Sequence, residues 1–193
     1  MSAWSYQLEL DGLMAGQQRW QLRQTGGEIT AEVITEFAGP LQALGNLRQL
    51  SRMDGDLHSL EYQEGPQGRS AQLTLREDRS GLYQLRQGTD QASVPAILPQ
   101  HDPLSILLLL CRLPPDGTRT FLAGHQIWLQ RLQRSGQEGL IGYRLRPGRA
   151  TAWVEESGQQ LVQLVQPLEQ RLLTARLRPT QEPRRSRGKR GRG

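Results

Sequence analysis

The stretch HDPLSILLLLCRLPP, residues 101–115, decides the fold of this chain. Asp102 is a good helix N-cap because its carboxylate can accept hydrogen bonds from the first free N–H groups of a helix. Pro103 fits the first helical position, where its missing N–H costs nothing, and the two prolines at the end of the stretch stop the helix. The spacing predicts one helix at 103–112, and its nearly continuous apolar surface predicts that the helix is buried.

The sequence on both sides of this helix has the pattern of short strands. Turn-forming glycines recur at the spacing of an all-β chain, and apolar residues alternate with polar ones between them, as in Trp4–Leu10. Six strands are predicted after the helix: 118–123, 126–133, 140–146, 151–155, 160–166 and 171–177. Consecutive strands with tight turns form antiparallel meanders. We therefore predict a mainly β fold, an antiparallel meander of about ten or more strands, curled as a half-open barrel around one central helix.

Residues 41–50 fit two structures. Leucines recur there at every third position, which fits a short amphipathic helix. Gly45 and Asn46 weaken a helix at that point, so we predict a strand.

The length of 193 residues suits one domain with a tail, and we place the β-rich domain at 1–178. The single cysteine, Cys111, excludes an internal disulfide framework and a cysteine-rich zinc site, and we expect it to be a small buried core residue. No apolar run approaches the roughly 20 residues that span a bilayer, and no signal sequence is visible. We predict a cytoplasmic protein, or an exported one if a leader is missing from this sequence.

Positive charge is concentrated in the last ten residues. The chain has 24 Lys and Arg against 19 Asp and Glu. Six of the cations lie in the tail, 179–193: Arg184, Arg185, Arg187, Lys189, Arg190 and Arg192. The last ten residues contain no apolar side chain, so the tail should be disordered. Its Arg-Gly pairs favour binding to a nucleic acid or another polyanion. The alternatives are a solubilising tail, or one that docks to an acidic protein or membrane surface.

Residues with catalytic or metal-binding patterns are scattered. His58, His101 and His125 lack the spacing of a metal site, and His101 is expected in a loop. The acidic pairs lie beside predicted turns, although two carboxylates could converge from distant strands as in a glycosidase. Nucleophile elbows and phosphate-binding loops are absent from the sequence. We predict a protein without enzymatic activity, catalytic residues, metal or cofactor.

The aromatic residues also have two interpretations. They could stack nucleic-acid bases on the surface of a sheet, but most alternate with aliphatic residues on predicted strands, so we expect core packing. The six residues in question are Trp4, Tyr6, Trp20, Trp128, Tyr143 and Trp153.

Several short motifs resemble a bacterial family known as domain of unknown function 3108. The segment Asp102–Ser105 opens the helix, Leu113-Pro114 closes it, and Ala152–Glu155 with Gly158 is similar to a late tryptophan-containing hairpin. The opening region Tyr6–Gly16 is similar to the family's first hairpin, and the resemblance covers residues 4–178. It implies an antiparallel sheet curled around a helix, akin to the LolA/LolB lipoprotein carriers, with a concave and lipophilic groove.

These observations predict a non-enzymatic binding or scaffold protein whose concave sheet holds a lipid-like or other apolar ligand or partner. The alternative is a nucleic-acid-binding accessory protein that uses the tail. Whether the groove is open or filled by the helix stays undecided at this stage. The residues predicted to form the groove or the core helix are Leu104, Leu107, Leu108, Cys111, Trp128 and Trp153.

Overall fold

The computed structural model describes residues 1–69, 71, 73–77, 82–95, 100–132, 138–158 and 160–178. The predicted basic tail lies outside these residues. The strands are β1 Ser2–Leu10, β2 Leu13–Thr25, β3 Glu28–Phe37, β4 Asn46–Met53, β5 Ser59–Pro66, β6 Leu73–Glu77, β7 Leu82–Gln87, β8 Asp90–Pro95, β9 Gln100–His101, β10 Thr118–Leu122, β11 His125–Arg131, β12 Leu140–Arg146, β13 Thr151–Glu155, β14 Leu161–Leu168 and β15 Arg171–Leu177.

All fifteen strands belong to one sheet, in the order β8-β7-β6-β5-β4-β3-β2-β1-β15-β14-β13-β12-β11-β10-β9. Neighbouring strands are antiparallel except β9 and β10, which are parallel. The first and last strands pair with each other, with Tyr6 opposite Leu177 and Leu10 opposite Leu173. The sheet is not closed, since β8 and β9 are its two edges. The predicted mainly β meander is confirmed.

The predicted helix is α1, Pro103–Leu110. Asp102 caps it: Oδ1 accepts hydrogen bonds from the backbone N–H of Leu104 at 2.8 Å and of Ser105 at 3.0 Å. The Ser105 hydroxyl oxygen in turn accepts from the Asp102 N–H at 2.9 Å. This reciprocal capping box satisfies donors that would otherwise be buried without partners. Helix α1 contacts β4 and β14, which are not neighbours in the sheet, so the sheet curls around the helix.

The helix ends two residues before the predicted boundary. The N–H groups of residues 111–113 bond to carbonyls three residues back, which tightens the last turn. Leu113 then adopts a φ of 53°, outside the right-handed helical region. The chain therefore leaves the helix before it reaches the prolines that were expected to stop it.

Two local predictions were wrong. Residues Gly39–Leu44 form a 3₁₀ helix, and Gly45, with a φ of 69°, separates it from β4. Of residues 41–50, therefore, only 46–50 belong to a strand. His101 does not lie in a loop, because it pairs with β10 as part of β9 and is buried.

The two faces of the sheet differ in chemistry. The inner face carries the apolar core, including Tyr6, Leu10 and Tyr143. The outer face carries arginine–carboxylate pairs such as Arg48 with Glu32 at 2.8 Å and Arg176 with Glu9 at 3.4 Å. Such exposed pairs add little stability each, but they keep most charge on the outside. Among the described residues, no helix is long and apolar enough to cross a membrane.

Candidate functional site: two cavities beside the helix

The helix does not fill the concave side of the sheet. Cavity 1, of about 340 Å³, lies between α1 and the inner faces of the strands around it. Cavity 2, of about 350 Å³, lies beside the end of α1, against β1 and β2. Most side chains around cavity 1 are apolar; they include Leu8, Phe37, Leu47, Leu145 and Leu173. The concave face is therefore partly open.

The two cavities lie towards opposite ends of the sheet. The turns between β1 and β2, between β12 and β13, and between β14 and β15 lie at the same end of the sheet, which we call end one. The opposite end is called end two. Gly148 and Gln166 lie at end one, are exposed and line cavity 1. Ser2 and Ala3 lie at end two, are exposed and line cavity 2. Each cavity therefore reaches the surface at its own end.

The structure brings four of the six predicted groove residues together. Leu104, which is 2% exposed, and Leu107 line cavity 1. Leu107, Leu108 and Cys111 line cavity 2. Cys111 is partly buried and packs against the apolar core. The Cys111 thiol donates a hydrogen bond to the Leu107 carbonyl oxygen at 3.5 Å. Burial raises the pKa of the Cys111 thiol to about 11, so the thiol stays neutral.

The two predicted tryptophans lie elsewhere. Trp128 is 37% exposed and sits between Ile127 and Leu129, both buried. Trp153 is half-buried and sits between Ala152 and Val154, both fully buried. Side chains alternate between the faces of a strand, so both indoles lie on the outer face. Neither lines either cavity.

Trp20 is an aromatic residue shared by both cavities, and the sequence analysis placed it only among the aromatics expected in the core. It is 3% exposed and, like Leu107, lines both cavities, so these two side chains lie between them. Its ring stacks on Trp4 at a centroid distance of 5.8 Å and meets the edge of Tyr6 at 6.2 Å. Its Nε1–H donates to Gln18 Oε1 at 2.8 Å.

Three uncharged polar side chains form one wall of cavity 1. This polar wall consists of Gln18, Thr35 and Gln49, on the adjacent strands β2, β3 and β4. Gln18 and Thr35 are directly opposite each other, and Gln18 Nε2 donates to Thr35 Oγ1 at 3.0 Å. Gln49 Nε2 donates to Tyr62 OH at 2.9 Å and to Glu64 Oε2 at 2.8 Å. The described residues that line the two cavities include no charged side chain.

A buried polar cluster holds the start of the helix against β4 and the loop that follows β4. Asp102 is fully buried, and its Oδ2 accepts from the Ser51 hydroxyl at 2.6 Å. Burial raises the pKa of Asp102, while its hydrogen bonds act in the opposite direction. His101 Nδ1 lies 2.9 Å from the Leu57 carbonyl oxygen, so Nδ1 carries the proton and donates it.

The histidines are less scattered than the sequence indicated. The rings of His58 and His101 lie 5.6 Å apart, and His58 Nδ1 is 3.0 Å from Asp54 Oδ2. Burial, helped by repulsion from His58, lowers the pKa of His101 to about 4. His101 is therefore neutral near pH 7, and the cluster acts as an anchor for α1.

Five of the seven exposed large apolar side chains of the described residues lie at end one. They lie on the turn regions between β1 and β2 and between β14 and β15, and on the 3₁₀ helix. The five residues are Leu13, Met14, Leu44, Leu168 and Leu172. Single exposed apolar residues need no explanation, but a group at one end of a molecule marks a candidate contact surface. This apolar rim lies at the end where cavity 1 opens.

A comparison with models of protein families gives no match for this chain, and a comparison with curated proteins gives none either. The resemblance to domain of unknown function 3108 therefore stays a prediction.

Proposed function

We propose that this protein binds an apolar, lipid-like small molecule in cavity 1, between the helix and the concave face of the sheet, and does so without catalysing a reaction. The observation that carries the proposal is the space that α1 leaves unfilled. A volume of about 340 Å³ with a mostly apolar lining lies at the lower end of the range for small-molecule sites. Burying an apolar chain there would remove it from water, which is the main driving force for such binding.

The apolar rim supports the same function. Leu13, Met14 and Leu172 are exposed at end one, where cavity 1 opens at Gly148 and Gln166. An apolar ligand that passes along these side chains stays in contact with apolar surface on its way in. The resemblance noted in the sequence also implies a lipophilic groove of this kind.

The proposal is tested first on the purified full chain. Native mass spectrometry after mild purification should show co-purifying lipid-like mass. Protein stripped of that mass should bind a fluorescent hydrophobic probe. A clean apo mass together with the absence of probe binding would overturn the proposal.

A pair of matched variants then locates the site. Ala150→Trp places a large side chain in cavity 1 beside its opening, because Ala150 lines that cavity. Ala43→Trp makes the same change at an exposed position on the 3₁₀ helix, at the same end of the sheet. We expect Ala150→Trp to weaken probe binding about tenfold or more and Ala43→Trp to leave it unchanged. Wild-type binding by both would show that cavity 1 is not the site.

A second candidate function rests on the tail. We propose that the six cations between Arg184 and Arg192 attach the protein to a nucleic acid. The rest of the chain carries 18 positive and 19 negative residues, so the positive net charge resides in this segment. Binding of this kind is weak, independent of sequence and strongly dependent on salt.

A further inference from the structure

The residues that line cavity 1 indicate which chemical class of ligand it prefers. We infer that the preferred ligand is an uncharged amphiphile: an aliphatic chain that carries one neutral hydrogen-bonding group, such as an alcohol, ester or amide, and not a carboxylate or phosphate. This inference rests on the proposed function.

The first argument is the unused hydrogen-bonding capacity of the polar wall. Thr35 is 2% exposed, and its hydroxyl accepts from Gln18 but donates to none of the described residues. Gln49 donates to Tyr62 and Glu64, and its Oε1 accepts from none of the described residues. A ligand hydroxyl or amide can pair with both the Thr35 donor and the Gln49 acceptor, and an ester carbonyl can accept from Thr35. A ligand hydroxyl or carbonyl placed here would satisfy the buried Thr35 hydroxyl, whose missing hydrogen bond is otherwise costly.

The second argument is electrostatic. A charged group that leaves water must gain a partner of opposite charge, or its desolvation is not offset. The described residues around cavity 1 provide no cation for an anionic head group. The charged group next to the polar wall is Glu64, whose carboxylate holds Gln49 at 2.8 Å. Its negative charge disfavours a carboxylate or phosphate further.

The test compares three ligands of equal chain length: a long-chain fatty alcohol, the methyl ester of the fatty acid, and the free fatty acid at a pH where it is ionised. Each competes with a fluorescent hydrophobic probe for the full chain. We expect the alcohol and the ester to displace the probe at concentrations about tenfold lower than the fatty acid.

Two variants connect this preference to the polar wall. Thr35→Val keeps the shape of the side chain and removes its hydroxyl, so it should weaken alcohol binding several-fold. Thr30→Val, on the outer face of the same strand, is the matched control and should change nothing. Gln18→Lys places a cation in the wall, so it should shift the preference towards the fatty acid. The folding of each variant is checked by circular dichroism.

The outcomes separate the two proposals. If neither the probe nor any of the three ligands binds, the proposed function fails. If the probe binds but the alcohol and the fatty acid compete equally, only the inference about the head group is overturned. Unchanged binding of the alcohol by Thr35→Val would also overturn it, since the wall would then make no contact with the head group.

Discussion

Lowering the pH should lower the free energy of unfolding, because the buried His101 resists protonation in the folded protein. The pKa of His101 is about 4 in the folded protein, against an ordinary value near 6.5. As the pH falls through this window, the unfolded chain takes up a proton that the folded protein does not. The contribution of His101 to the free energy of unfolding therefore falls between about pH 6.5 and pH 4 and changes no further below pH 4. At about 1.36 kcal/mol per pKa unit, the loss is about 3 kcal/mol.

The cause is the position of the ring. His101 is 3% exposed, and its Nδ1–H already donates to the Leu57 carbonyl oxygen at 2.9 Å. A second proton would place a positive charge in the protein interior, 5.6 Å from the ring of His58. Asp54 acts in the opposite direction, but its carboxylate is paired with His58.

The assay is urea unfolding, followed by tryptophan fluorescence, at about pH 7 and about pH 4. The test variant is His101→Asn, because its amide nitrogen can keep the hydrogen bond to Leu57 without titrating. The control is His125→Asn, at an exposed position on β11. Asp102, whose pKa is also perturbed, is present in all three proteins, so its contribution cancels. The wild type and the control should lose about 3 kcal/mol more than His101→Asn. Equal losses in all three would refute the reasoning.

Two further changes test the helix anchor and the tail. Asp102→Ala removes both cap hydrogen bonds and the partner of Ser51, so it should lower the free energy of unfolding by about 2–4 kcal/mol. Asp56→Ala, at an exposed position, should have little effect, and similar losses in the two would argue against an anchor. A short single-stranded oligonucleotide should bind the full chain at low salt, lose affinity at moderate salt, and bind a version ending at Pro183 much more weakly. Equal binding by both forms would show that the tail is not the contact.

The helix was predictable because its signals are local. Asp102 and Pro103 set its start through backbone chemistry that depends on adjacent residues alone. The strands after it were predictable for a similar reason, since tight turns separate segments that alternate cleanly. The exact end of α1 was not predictable, because the last turn is tightened and Leu113 has a positive φ within an otherwise helical pattern.

The outer tryptophans show the limit of pattern reasoning. In β11, Ile127, Trp128 and Leu129 are all apolar, so the alternation does not say which of them faces inward. The structure places the two aliphatic residues inside and the indole outside. The same holds for Trp153 between Ala152 and Val154. Which residue faces inward depends on how the neighbouring strands pack, and the sequence of one strand does not contain that information.

The helix side of the candidate site was predictable, and the sheet side was not. Leu104, Leu107 and Leu108 were expected at the groove because they lie on the one apolar helix, and they line the two cavities. The polar wall was missed because polar residues on a strand are normally assigned to the solvent face. In β2, Gln17, Gln18 and Arg19 follow one another, so no alternation shows that Gln18 faces inward.

A physical rule shows how the sequence could have predicted that Gln18 faces inward. A buried tryptophan needs an acceptor for its indole N–H, and Trp20 finds one in Gln18 at 2.8 Å, two positions away on the same face of β2. Gln18 then donates to Thr35 across the strand pair, so two of the three side chains of the polar wall are connected to Trp20. Trp20 and Leu107 also lie between the two cavities. Trp20, one of the two side chains that separate the cavities, therefore also holds the first hydrogen-bonding group in the wall of cavity 1.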